Sequence, residues 1–209
     1  MKTRIDKDTW LRKDHYDFFS RFEEPFFGVT VTVDVAHAFH YAKQKTHSFF
    51  LHYLYRALKA ANSIENFRYR IIDGDVYLFD EIHASPTINR ANGTFGFAYM
   101  DFHDDENVFI AGARKIVEEV RHSSGLIPAV SGENVIHFSA MPWLKFTAVS
   151  HARSFNFPDS CPKISFGQVY EDNGQLLMPV SIHLHHGLAD GYHAGLFVER
   201  FQELLNEAI

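Results

Sequence analysis

Residues 29–35 read Val-Thr-Val-Thr-Val-Asp-Val, and directly after them the hydrophobic period changes from two to about 3.6. Strict alternation of β-branched residues predicts a half-buried strand. The next two stretches, 36–46 and 49–64, predict helices, the second with Leu51, Leu54, Leu58 and Ala61 at three- and four-residue spacing on one face. A strand that feeds straight into core-facing helices needs a sheet for those helices to cover. Residues 70–79 predict two strands around the Asp73-Gly74 turn, and 86–88 and 94–101 two more, separated by Asn92-Gly93. From 104 to about 124 an acidic start and the Gly125 stop predict a peripheral helix. Upstream, Thr9 is a candidate cap for a short helix that ends before Pro25. The last third predicts strands at 135–139, 144–149 and 163–170. An Asn173-Gly174 turn, a strand at 176–185 and a final helix from Asp190 to about Glu207 follow. No internal repeat or linker interrupts this order. At 209 residues the chain is short for two domains, so one domain over 1–209 is expected: an α/β two-layer sandwich, a mixed, largely antiparallel sheet with helices on one face.

A net charge of −6 argues against nucleic acid as the main partner, because phosphate backbones require clustered cations. No apolar run approaches the ~18 residues of a membrane span, and Met1-Lys2-Thr3-Arg4 leads into charge, so neither a membrane nor a signal segment is expected and the cytoplasm is the expected location. Cys161 stands alone, which forbids an intrachain disulfide and leaves it as a small hydrophobe. Aromatic residues at 15% and 14 histidines exceed what a small core needs, so some of these rings line a pocket or an interface.

The chemistry concentrates at the end of the 176–185 strand. His186 falls in the turn between that strand and a helix capped by Asp190, where an imidazole can face a cleft while both elements hold it. Near neutral pH an imidazole can take a proton from a hydroxyl and return it to a leaving thiolate, which acyl transfer requires. The Asp190 carboxylate at a sheet–helix junction calls for a cation, with an arginine the expected partner, and its role is architectural. A helix-capping aspartate beside a satisfied histidine accounts for the same string, and His-x-x-x-Asp-Gly alone leaves both readings open.

His185-His186-Gly187-Leu188-Ala189-Asp190-Gly191-Tyr192-His193, Ser139-Ala140-Met141-Pro142-Trp143 and Trp10-Leu11-Arg12-Lys13-Asp14-His15 together resemble three motifs of the chloramphenicol acetyltransferase family, in the same order and with compatible spacing. The resemblance spans nearly the whole chain. It implies His186 as general base, Ser139 as the hydroxyl that stabilises the tetrahedral oxyanion, and Asp190 paired with Arg12. It implies acetyl-CoA as co-substrate, with Trp143 and Ser165 on the coenzyme side and no metal. It implies a small-molecule acceptor bound near Phe19, Glu23 and Phe95, and a homotrimer with active sites between subunits. Phe19 and Glu23 stand where some members carry a tyrosine and an aliphatic residue, and Gln168-Val169 replaces a Lys-Tyr pair. A buried Glu23 would suit a more polar or cationic acceptor than chloramphenicol, whereas Phe95 keeps a pocket phenylalanine.

Other readings share the signature. Acyltransferase cores of 2-oxo-acid dehydrogenases carry a lipoyl domain and linker that this chain lacks, and a peptide-synthetase condensation domain is about twice as long. A non-catalytic trimeric binder of the same fold would not need His186, Ser139, Asp190 and Arg12 together. A metal site from His183, His185, His186 and His193 has no cysteine or carboxylate to complete a ligand spacing.

Overall fold

A computed structural model describes residues 1–126, 132–153 and 159–207. Its main sheet has the strand order β2-β10-β8-β7-β5-β6: β2 Phe26–Asp34, β10 Gln175–His185, β8 Lys163–Phe166, β7 Val135–Ala140, β5 His83–Asn89 and β6 Phe95–Phe97, with β9 Tyr170–Asp172 added alongside β10. The pairings of β5 with β7 and of β7 with β8 are parallel and the rest antiparallel, so the sheet is mixed and largely antiparallel as expected. A separate three-stranded sheet, β1 Lys2–Arg4, β4 Asp75–Phe79 and β3 Tyr69–Ile72, was not foreseen as a unit.

Alternation along β10 decides which face the helices cover. Met178, Val180, Ile182 and Leu184 point into one apolar core with Ile164, Phe166 and Phe138. That core is closed by α2 Ala36–Gln44, α3 Phe49–Asn62, α5 Glu106–His122 and α6 Gly191–Asn206. Tyr53 of α3 lies 4.7 Å from Phe166, and Phe197 of α6 lies 5.0 Å from Phe67 in the short α4 Glu65–Arg68. α1 spans Lys13–Phe19 and is moored to the small sheet through Tyr16, which packs with Tyr69, Val76 and Leu188.

The opposite face of the sheet is polar and largely buried. His137, Lys163 and His183 stand in register across β7, β8 and β10, with Ser139, Ser165 and Ser181 in the next polar row. Residues of the connection between β7 and β8 lie over them: His151 stands 4.7 Å from His183, and Asp159 pairs with Lys163. The register puts Gly28 of β2 opposite His183, whose Nε2 would lie 2.4 Å from a Cβ built there. Gly28→Ala should therefore displace the His183 ring and lower stability by about 1–3 kcal/mol. A denaturation midpoint equal to wild type would show that the ring is free to swing away.

Four expectations need correction. The first helix starts at Lys13, not near Thr9, whose hydroxyl is turned back to Asp6; Arg12 takes the cap position but points its guanidinium elsewhere. The expected strand at 144–149 is absent: the chain turns at Met141–Leu144, where the Leu144 N–H donates to the Met141 carbonyl, and the Leu144 carbonyl accepts the Gln168 N–H just past β8. The expected strand at 163–170 breaks after Phe166, where Gly167 meets Pro179, a residue with no N–H for the ladder. The strand expected over 94–101 shortens to Phe95–Phe97, with an isolated bridge from Met100 to Ala84. Both Asp73-Gly74 and Asn173-Gly174 hold positive φ at both residues, the geometry of a tight hairpin turn. No helix among the described residues is long and apolar enough to cross a membrane.

Candidate active site

The turn from β10 into α6 is tied down residue by residue. The His186 N–H donates to the Pro25 carbonyl at 2.8 Å, and the Leu188 and Ala189 N–H groups donate to the His185 carbonyl. Arg12 reaches in from the start of α1 and spends its fork on the same turn. Nη2 donates to the His186 carbonyl at 3.1 Å, Nε to the Gly187 carbonyl at 3.4 Å, and Nη1 to Asp190 Oδ2 at 2.8 Å. Asp190 caps α6 by accepting the Tyr192 N–H, and its Oδ1 lies 2.9 Å from His193 Nδ1. Burial pushes the Asp190 carboxyl up, but the Arg12 hydrogen bond and the His193 and Arg12 charges outweigh it and hold it down to about 2. A group anionic over the whole neutral range cannot act as an acid, so its work is to fix the turn. Asp190 is partly exposed rather than buried, at 31% of its side-chain surface.

The two adjacent histidines have opposite surroundings. His185 is buried, its Nδ1 accepts the Gly187 N–H at 3.2 Å, and burial beside the Arg153 charge pushes its imidazole down to about 4. It stays neutral and enclosed. His186 is half-exposed and lies flat on Phe19, with ring centroids 4.0 Å apart and planes within 3°. Phe27 bounds it on another side at 4.6 Å. Nδ1 of His186 is buried without a hydrogen-bond partner among the described residues, which leaves Nε2 as the nitrogen that can meet a ligand.

Ser139 is not near this ring within one chain. Ser139, Ser165 and Ser181 are in register across β7, β8 and β10, and His186 lies five residues beyond Ser181. Two strand spacings and five residue rises separate the Cα atoms of Ser139 and His186 by roughly 19 Å. The two side chains stand toward opposite ends of the sheet. At the end of the sheet that carries Ser139, a cavity of about 740 Å³ opens on the helix-covered face, beyond the C-terminal ends of the parallel strands β5, β7 and β8, the place where open α/β sheets bind ligands; Ala140 lines it, whereas Ser139, on the polar face, does not. Ala140, Pro142, Gln168 and Val169 form one wall and Phe49, Phe50 and Tyr53 of α3 another.

The family profile for chloramphenicol acetyltransferase matches residues 1–202. The chain belongs to the chloramphenicol acetyltransferase family. It is 26% identical to a chloramphenicol acetyltransferase of Escherichia coli over 98% of this chain and 94% of the relative, and 27% identical to one of Proteus mirabilis over 97% and 94%. A solved chloramphenicol acetyltransferase superposes with a TM-score of 0.90 at 34% identity, covering 98% of this chain and all of the other. A probable dihydrolipoamide acetyltransferase from Listeria monocytogenes shares the fold, with a TM-score of 0.68 at 12% identity over 92% of this chain and 88% of the other. As a member of this acyltransferase family the chain is an acetyltransferase.

The other residues singled out in the sequence fall in distinct places. Phe19 stacks on His186. Glu23 is exposed rather than buried; its neighbour Glu24 accepts the Phe26 N–H and pairs with Arg153. Phe95 lies on the edge strand β6, far from His186 in the same chain, and is 42% exposed. The Ser165 hydroxyl is fully buried 3.5 Å from His151 Nε2, and Trp143 is 58% exposed; neither lines the cavity. Among the described residues, no group of three or more His, Cys, Asp or Glu side chains could hold a metal ion. Nothing in the sequence distinguishes Phe49, Phe50 and Tyr53, because aromatic residues at helical spacing look the same whether they fill a core or line a cavity.

Proposed function

We propose that this acetyltransferase moves an acetyl group from acetyl-CoA to the hydroxyl of a small molecule, with chloramphenicol one candidate acceptor. The observation that carries the reading is the His186 ring, held flat against Phe19 by a fully braced turn with Nε2 left accessible. Nε2 takes the acceptor's hydroxyl proton as that oxygen attacks the thioester carbonyl. The oxyanion receives a hydrogen bond from the Ser139 hydroxyl. The tetrahedral intermediate then collapses, the carbon–sulfur bond breaks, and the imidazolium returns the proton to the thiolate; no acyl-enzyme forms.

Within one chain His186 and Ser139 lie too far apart to act on the same carbonyl. This supports a homotrimer in which each site takes His186 from one subunit and Ser139 from its neighbour, an arrangement that a closed ring of identical interfaces provides. Coenzyme A then enters through the cavity at the Ser139 end of the sheet, and the acceptor lies over Phe19 of the subunit that supplies His186.

The test is thiol release from acetyl-CoA against a panel of amphenicols, other alcohols and amines. Acceptor-dependent release by wild type and its loss in a folded His186→Ala protein are expected. Undiminished turnover in that variant would remove His186 as the base. If wild type bound acetyl-CoA but turned over none of the acceptors, a trimeric binding protein of the same fold would be the better description.

A further inference from the structure

The cavity at the Ser139 end of the sheet is apolar at its base and charged at its mouth. The charged side chains among its lining residues are Arg114, Glu118 and Arg121, all exposed on α5, above the buried Val117. Arg114 and Arg121 are seven residues apart, two helical turns or about 10 Å along one face. The opposite wall at Gln168 and Val169 carries no charge, so among the described lining residues these arginines are the cations available to an anion entering here.

We infer that Arg114 and Arg121 of α5 bind the phosphate groups of coenzyme A at the mouth of this cavity, the Gln168–Val169 wall being neutral. The inference rests on the coenzyme reading above. Arg114 donates only to the Thr46 carbonyl at 3.0 Å and has no carboxylate partner among the described residues. It is exposed and lines the cavity. Arg121 is held by Glu118 at 2.7 Å, an exposed pair three residues apart on the helix. Such pairs hold weakly, whereas a guanidinium on a phosphate makes two parallel charged hydrogen bonds, so phosphate displaces Glu118 as the partner. Arg121 also complements the C-terminal dipole of α5, but mid-helix Arg114 has no such task. Phe49, Phe50 and Tyr53 then offer aromatic surface for the apolar parts of the ligand.

The assignment is tested by titrating wild type, R114Q, R121Q and R114Q/R121Q with coenzyme A and with pantetheine, which lacks every phosphate. The substitutions lie on an exposed helix face, and circular dichroism checks that each protein is folded. Affinity for coenzyme A should fall about tenfold with each arginine removed and about a hundredfold with both. Affinity for pantetheine should not change, and E118Q should bind coenzyme A more tightly than wild type. A double variant that binds coenzyme A as tightly as wild type, or loses both ligands equally, overturns the arginine assignment alone. Wild type that binds neither ligand overturns the coenzyme reading and this assignment with it.

Discussion

Subunits carrying His186→Ala and subunits carrying Ser139→Ala, each inactive alone, should regain activity when they are mixed before assembly. On the proposed mechanism, losing His186 as general base is expected to reduce kcat by about 10²–10⁴, and losing Ser139 as oxyanion donor by about 10²–10³. If each site takes its histidine from one subunit and its serine from the next, random assembly of equal amounts leaves roughly a quarter of the sites with both residues intact. The mixture should then show about a quarter of wild-type turnover, far above the sum of its parts. Two homotrimers mixed after assembly should stay inactive until their subunits exchange. A co-assembled mixture no more active than its components would mean that the two residues do not share a site across an interface. This outcome is discriminating, because no side-chain motion closes roughly 19 Å within a chain whose central strands are fixed on both edges.

That separation was not legible in the sequence, although both residues were. Ser139 and His186 were each singled out through a motif that resembles the family's, but strand order decides whether two strand-end residues meet. Pairing β8 between β7 and β10 is a long-range choice. The partnership of Arg12 with Asp190 was more accessible, since a carboxylate at a sheet–helix junction needs a cation and Arg12 lies in a second motif. The division of labour between His185 and His186 required burial. Adjacent residues at a strand end point to opposite faces, and only the structure shows which face is covered, with His151 and Asp159 lying over it.

Local chemistry explains where the fold was readable. The Asp73-Gly74 and Asn173-Gly174 turns need two residues at positive φ, and few dipeptides accept this, so the hairpin was placed correctly. The strand expected at 144–149 failed for the opposite reason. Its residues could pair, but the chain turns at Met141–Leu144 and only the Leu144 carbonyl meets the end of β8, through the Gln168 N–H, a tertiary placement that alternation does not reveal. β1 was missed because Lys2-Thr3-Arg4 has no alternation to detect and is set by its pairing with β4. Arg114 and Arg121 escaped notice because arginines on an amphipathic helix ordinarily face solvent, and the aromatic cavity beside them is made by α3, more than fifty residues earlier.

The polar face of the sheet should make the protein acid-labile well above the range of carboxylate titration. Burial, with the nearby Lys163 charge, pushes the His137 imidazole from its ordinary value near 6.5 down to about 4. Burial with the Arg153 charge does the same to His185, and burial with the neighbouring His183 does so to His151. In the unfolded chain these rings bind protons near 6.5, so between pH 6.5 and 4 the unfolded state holds more protons than the folded one. Stability therefore rises with pH across that window: it is fully present above about 6.5 and is lost as the pH falls toward 4. His137 and His185 should each contribute roughly 2 kcal/mol to this loss, and His151, more open to solvent, less. Asp190, held down to about 2, adds a further loss only between about pH 4 and pH 2, where its unfolded form takes up a proton first. Denaturant unfolding at a series of pH values from 7.5 to 4.5 should show a steep fall in stability that begins near pH 6.5. Imidazole proton resonances should identify three rings that remain neutral down to about pH 4. An unfolding free energy that stays flat from pH 7 to pH 5 would mean that solvent reaches these rings and that the β7–β8 connection does not seal the polar face.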